Sequence, residues 1–261
     1  MTIDRIIPRL YYFFTILYFL RKIDNKAEIL FHIKDMLLGR RAVLISLNKT
    51  WHFKVRDLYD ILAIKEVFDE SVYLPIFRKL KRDTTLIDIG GYIGDVAIYA
   101  KQFRKIKEVI TIEPLPDNQE LLKFNLKINK VKNVLVIKAA VSDRNGSKKF
   151  YIHPNKGQSS FFKYSDNVTN IRVKCMTLGK IISLVRTSNL ILKCDSEGTE
   201  YEIFLNTPLK LLSRFDGIIF EYHNDKKMKA LTARLEKAGF SVKTKKHPVE
   251  PNLGIAFAYP L

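Results

Sequence analysis

A chain of 261 residues with 47% hydrophobic content is long enough for one well-buried α/β domain with an N-terminal extension, and too apolar to be disordered. Its net charge of +18 is spread along the chain, which argues against a dedicated basic tail and for a generally basic surface, although nucleic acid, anionic lipid or a phosphorylated substrate would each suit such a surface. The two cysteines, Cys175 and Cys194, have no metal-ligand spacing and read as reduced core thiols of a cytosolic protein.

Residues 1–23 are the least globular stretch. Leu10 to Leu20 (LYYFFTILYFL) is uncharged and lies between Pro8-Arg9 and Arg21-Lys22. A bilayer-spanning helix needs about twenty apolar residues, so this run is too short to cross unaided, and no small-residue cleavage site follows it. It reads as a helix packed on the catalytic domain or on a second subunit, which would make a homodimer. The alternative is a peripheral anchor at a membrane surface.

Residues 24–83 read as a cap subdomain without a catalytic cluster. Ala42 to Leu47 and His52 to Val55 predict a hairpin turning at Asn48-Lys49, and helices are expected over 56–67 and 73–80. Tyr73 is a candidate contact over a ligand, though a tyrosine in a helical stripe is more often core.

From Thr84 to the end the pattern alternates as strand 85–89, helix 94–104, strand 109–113, helix 116–129 and strand 133–138. That is a doubly wound α/β fold with a mostly parallel sheet, whose ligands bind at the carboxyl ends of the strands where the strand order reverses. Leu86 to Gly94 (LIDIGGYIG) places Gly90, Gly91 and Gly94 between a strand and a helix. Bare backbone there lets a ligand approach a helix N-terminus. Glu113 ends the next strand about twenty residues on, the place from which an acid reaches the hydroxyls of a ribose. The turn reads GGYIG and not GxGxxG, so a pyrophosphate cradle fits it poorly.

After the third strand, Ala140 and Asp143 in AAVSD are candidates for adenine contact, although SDRNG also has the composition of an ordinary polar turn. Residues 148–175 predict two strands joined by a polar loop in which Gln158, Ser159 and Ser160 could hold a carboxylate or a hydroxyl. His153 reads as a surface strand residue. Leu190 to Asp195 is the fourth strand, and the helix over 199–212 carries a capping box from Thr199 to Glu202, with Glu200 complementing the helix dipole. Asp195 and Glu197 then stand at the strand end without a structural explanation. Gly217 to Glu221 is the fifth strand, with Glu221 and His223 at its end. A helix over 225–238, capped by Asp225, and an antiparallel pair at 241–245 and 254–258 complete seven strands.

These blocks, IDIGGYIG, Glu113-Pro114 with Asn125, AAVSD, LKCDSEGTE and FEYH, occur in an order that resembles FkbM-type S-adenosylmethionine-dependent methyltransferases, from about Trp51 to the C-terminus. The resemblance implies a Rossmann-like class I methyltransferase fold over residues 84–261. It also implies S-adenosyl-L-methionine as cofactor, held by Asp88, Gly90, Gly91, Tyr92, Gly94, Glu113, Pro114, Ala140, Asp143 and Asp195. Gly91-Tyr92 departs from the alanine-asparagine common there and changes the surface near the methionine end. The implied reaction is O-methylation of a hydroxyl on a glycan, glycolipid or other small metabolite.

His223 or Asp195 is then the expected base, with Glu221 and Glu197 completing the catalytic group. The reading is metal-free, with a divalent ion on Asp195, Glu221 and His223 as the alternative. The absence of an Asp/Asn-Pro-Pro-Tyr block lowers the case for DNA N-methylation. RNA methylation and a non-catalytic binding module remain the competitors.

Overall fold

Six consecutive buried residues, Thr84–Ile89, form an interior strand, β3, of the sheet described below, flanked on both edges and covered on both faces. The computed structural model describes residues 3–37, 41–154, 156–163, 166, 168–223 and 225–261. Ahead of β3 stand α1 (Ile3–Leu20), α2 (Lys26–Leu37), a hairpin of β1 (Val43–Leu47) and β2 (Trp51–Val55), α3 (Leu58–Phe68) and α4 (Leu74–Phe77). The hairpin turns through Asn48 and Lys49, both at positive φ. Helix α3 begins at Leu58, because Asp57 caps it by accepting from the N–H groups of Tyr59 and Asp60.

The sheet continues with α5 (Asp95–Ala100), β4 (Ile106–Ile112), α6 (Pro116–Ile128) and β5 (Val134–Ile137). A second, three-stranded sheet follows, made of β6 (Ala140–Val141), β7 (Gly146–Ile152) and β8 (Thr169–Met176), in the order β6-β8-β7. The polar loop between β7 and β8 is described only in part. After α7 (Leu178–Ile182) come β9 (Asn189–Cys194), α8 (Glu200–Asn206), α9 (Leu209–Leu212), β10 (Gly217–Tyr222), α10 (Asp225–Lys237), β11 (Phe240–Lys246) and β12 (Gly254–Pro260). The Asp225 side chain, expected to cap α10, lies outside the described residues.

The large sheet has the order β11-β12-β10-β9-β3-β4-β5, with β12 antiparallel to both neighbours and the adjacent pairs from β10 through β5 parallel. Strand order reverses beside β3, and the crevice lies at the carboxyl ends there. One expected helix is two. Thr207 is extended ahead of Pro208, as a residue before proline prefers, and this separates α8 from α9. The expected capping box is also absent, because the Thr199 hydroxyl donates to the Ser196 carbonyl and Glu202 accepts from Ser142 and Lys148 instead.

Helix α6 ties the N-terminal hairpin to the sheet. Asn125 accepts from Lys54 N–H at 2.8 Å and donates to the Ile93 carbonyl at 3.0 Å, joining the hairpin to the glycine turn. Helix α1 packs inward through Ile16, Phe19 and Leu20, all buried.

Candidate active site

The turn after β3 is shaped by close approach. Gly90 has φ +79°, and a Cβ there would lie 1.9 Å from the Asp195 carbonyl oxygen. At Gly91 a Cβ would lie 2.0 Å from Thr111 Oγ1, and at Gly94, φ +87°, it would press on Leu122. Gly90 lines the crevice, whereas Gly91 and Gly94 do not and serve packing against β4 and α6. Tyr92, at φ +42°, lines the crevice, with the Arg56 guanidinium 5.4 Å from its ring centre.

Glu113 is 4% exposed and lines the same crevice, a cavity of about 230 Å³. Its Oε2 accepts from Tyr92 N–H at 2.9 Å, while its Oε1 accepts from Leu115 N–H at 2.9 Å and from the Asn118 amide at 3.2 Å. Burial pushes its pKa up to about 7, against those three donors, which favour the charged form. A carboxylate has about four lone-pair sites, so Oε2 keeps acceptor capacity for a ligand hydroxyl. Asn118 is itself held by Arg56, which is paired with buried Asp60, so the cap subdomain helps to aim this acid.

Pro114, Ala140, Ala139 and Val141 line the crevice beside Glu113, with Phe150 and Phe161 of the smaller sheet region adding an aromatic wall. Gln158 and Ser159 also line it, and Ser160 bonds within its own loop. Besides Gly91 and Gly94, two more expected ligands do not reach it. Asp143 is exposed, and its carboxylate accepts from Ser142 Oγ at 2.8 Å and from Lys148 Nζ at 2.7 Å, so the polar-turn reading holds there in place of an adenine contact. Asp88 is fully buried beneath the turn, accepting from Thr111 Oγ1 at 2.9 Å with Lys193 Nζ at 3.3 Å.

Lys193 was not among the expected residues. Its buried ammonium donates to the Gly90 carbonyl at 2.7 Å and the Ile89 carbonyl at 3.2 Å, and stands 3.9 Å from Asp195. Burial alone would lower its pKa, and Asp88, Asp195 and Asp95 more than reverse that. A lysine inside the apolar run LILKC was the available signal, since a charge is rarely buried without partners.

Across from Glu113, the crevice is lined by Asp195, Glu197, Glu221 and, from α3, Glu66. Asp195 Oδ1 is buried and has no hydrogen-bond partner among the described residues. Burial pushes Glu66 up to about 8, helped by Asp195, Glu70 and Asp95, and raises Glu197 and Glu221 as well. His223 does not line the crevice. Its Nε2 lies 3.3 Å from Glu197 and 3.9 Å from Glu221, both of which line the cavity. Its Nδ1 lies 3.2 Å from Glu200, a fully buried carboxylate that also accepts from the N–H groups of Gly198 and His223. Glu200 therefore orients the histidine and is not a simple complement to the helix dipole. Burial would lower the His223 pKa, and the bonds to Glu197 and Glu200 raise it well above the ordinary value.

This strand order, with bare backbone after the first parallel strand and a buried acid after the second, defines a class I S-adenosylmethionine-dependent methyltransferase. The chain belongs to the methyltransferase FkbM domain family, whose model matches residues 88–242. Among solved structures, methyltransferase FkbM from Methylobacillus flagellatus KT is 14% identical over 89% of this chain and 60% of that one, with a TM-score of 0.49. Precorrin-6y C5,15-methyltransferase from Geobacter metallireducens is 16% identical over 74% and 90%, with a TM-score of 0.45. A putative methyltransferase from Streptococcus mutans in complex with SAH is 14% identical over 73% and 97%, also at 0.45. No curated protein matches the sequence.

The residues present fit S-adenosylmethionine. Glu113 retains an acceptor site, and Ala139, Ala140, Val141, Phe150 and Phe161 give the same crevice an apolar lining. No helix among the described residues is long and apolar enough to cross a membrane.

Proposed function

We propose that the protein transfers a methyl group to a hydroxyl of a neutral glycan, glycolipid or similar metabolite, with Asp195 as the group that takes the proton. S-adenosylmethionine, when bound, supplies a methyl already activated on a sulfonium. Glu113 would hold its ribose, Ala139 to Val141 its adenine, and the backbone at Gly90 would leave room for its amino-acid end. The chain must then orient an oxygen, accept its proton and exclude water.

The observation that carries this reading is Asp195 Oδ1, a buried acceptor at the edge of the crevice without a donor among the described residues. A buried carboxylate oxygen left unpaired is costly, and an incoming hydroxyl supplies the missing donor. His223 supports the site as a cation. Held protonated by Glu197 and Glu200, it offsets the charge of the glutamates before it. The acidic lining, with Lys193 as its cation, disfavours a phosphate backbone near the reacting centre, which argues against RNA.

Methyl-labelled S-adenosylmethionine incubated with fractionated extract tests this. Label is expected in a nuclease-resistant hydroxylated acceptor, and label released by ribonuclease would overturn the reading. One observation favours a second version, in which a divalent cation acidifies the hydroxyl, since Asp195, Glu197 and His223 each offer a ligand atom within 4.8 Å of one another. Transfer that is undiminished by EDTA excludes it.

A further inference from the structure

Helix α1 carries two apolar stripes. Ile16, Phe19 and Leu20 are buried against the domain, while Leu10, Phe13, Phe14, Leu17 and Tyr18 are 51%, 55%, 62%, 43% and 54% exposed. The exposed set follows the i, i+3, i+4, i+7, i+8 spacing of a single helical face, a pattern that normally marks the side of a helix hidden from water. Exposed Arg21 continues that face one turn on, and the Lys22 ammonium sits 5.9 Å from the Tyr18 ring centre. In the next helix Leu30 and Phe31 are 53% and 83% exposed.

Behind α1 lies a second cavity, of about 680 Å³, within the size range of small-molecule sites. Tyr11, Tyr12 and Thr15 of α1 form one wall, His247 and Phe257 another, and Leu62, Glu66 and Glu221 border both this cavity and the crevice that holds Glu113 and Asp195. The Tyr11 and Tyr12 rings approach His247 at 5.9 and 6.1 Å between centres. The helix that bears the exposed stripe is thus also a wall of the space next to the acidic end of the crevice.

Resting on the methyltransferase reading above, we propose that the outer face of α1 docks on an anionic membrane surface, and that the cavity behind it receives the hydroxylated headgroup of a lipid from that membrane. Aromatic and aliphatic side chains in a stripe that ends at Arg21, beside Lys22 in its pair with Asp69, suit burial at the headgroup boundary with the Arg21 charge left at the lipid phosphates. A second copy of the chain is the other occupant such a stripe could take. Each copy carries a net charge of +18, which opposes self-association and favours an anionic surface.

The test is co-sedimentation of the full chain with phosphatidylcholine vesicles containing about one part in three phosphatidylglycerol, against pure phosphatidylcholine. The wild type is expected to pellet with the anionic vesicles and to be released by high salt. Phe13→Glu/Phe14→Glu, at two exposed positions, should weaken pelleting at least about tenfold, and Arg21→Gln by about fivefold, both with unchanged melting and S-adenosylmethionine affinity. With polar lipid extract in the vesicles, label should enter the chloroform-soluble fraction.

No pelleting with either vesicle, or pelleting unchanged in the Phe13→Glu/Phe14→Glu protein, would overturn the docking surface. So would a wild-type dimer that the same substitutions convert to monomer. Label confined to water-soluble acceptors would overturn the headgroup assignment. Normal vesicle binding with no label in any fraction would instead count against the transfer reading while leaving docking in place.

Discussion

The two banks of the crevice are built on opposite principles. On the β3–β4 bank the acid and its neighbours are paired within the protein, although the buried Tyr92 hydroxyl and Asp88 Oδ1 have no hydrogen-bond partner among the described residues. Glu113 takes three donors, the Gly90 carbonyl takes Lys193, and Asn118 is fixed by Arg56. On the β9–β10 bank Asp195, Glu197 and Glu221, with Glu66 facing them, have Lys193 and His223 as cations, and Asp195 Oδ1 has no hydrogen-bond partner among the described residues. A bank whose acid is aimed by three donors suits holding a ligand of fixed shape. On the other bank burial raises the pKa of Glu66, Glu197 and Glu221, and perturbed groups gather where chemistry is done.

The largest expected effect comes from forcing the banks apart. Gly90→Ala places a Cβ 1.9 Å from the Asp195 carbonyl at a φ of +79°, so the end of β9 must move. A loss of at least about 3 kcal/mol in denaturant unfolding is expected, with S-adenosylmethionine binding lost too. Next, Asp195→Asn should lower turnover by about 10²- to 10⁴-fold while calorimetric affinity for S-adenosylmethionine stays within a few fold. Equal losses in both would erase the distinction between the banks. Glu113→Ala should do the reverse, weakening S-adenosylmethionine binding by about ten- to a hundredfold, the worth of hydrogen bonds to a charged acceptor. Unchanged affinity in that variant would remove Glu113 from the binding bank.

The smallest effect is on stability against pH. The folded pKa values of Glu66, at about 8, and of Asp95 and Glu113, at about 7, lie above the unfolded carboxyl range near 4. Each therefore binds its proton better when folded, and the stability this brings is full below about pH 4 and lost as pH rises through 7 to 8. His223, also raised, loses its contribution in the same direction above 6.5. The melting temperature of the free protein should accordingly fall by a few degrees between about pH 6 and 9. A rise over that interval would contradict the burial of these acids.

What was legible in the chain was local. The run LIDIGG announces a buried strand and a bare turn because apolar residues and glycines act on their own neighbours, and Glu113 follows at the distance one strand-helix-strand unit imposes. The acidic bank was legible only in part. Asp195, Glu197 and Glu221 stand at strand ends where the pattern places a ligand, but Glu200 has a plausible local role at a helix start and its true partner, His223, comes from another strand. Glu66 looks like one of two charged residues between Ile64 and Val67, and nothing in α3 alone says which way it faces. Asp143 failed for the converse reason: Lys148, five residues on, claims it through the hairpin that β7 begins. The division of α8 from α9 was available at Thr207-Pro208.

The asparagines around the N-terminal hairpin have a consequence for how the molecule behaves in a crowd. Asn125 and Asn129 bond both the N–H and the carbonyl of Lys54 and His52 along one edge, while Asn25 bonds Ser46 N–H and the Leu44 carbonyl along the other. Side-chain amides thus stand in for absent neighbouring strands, and a two-stranded ribbon that would otherwise invite β-pairing between molecules, and so aggregation, presents neither margin for it.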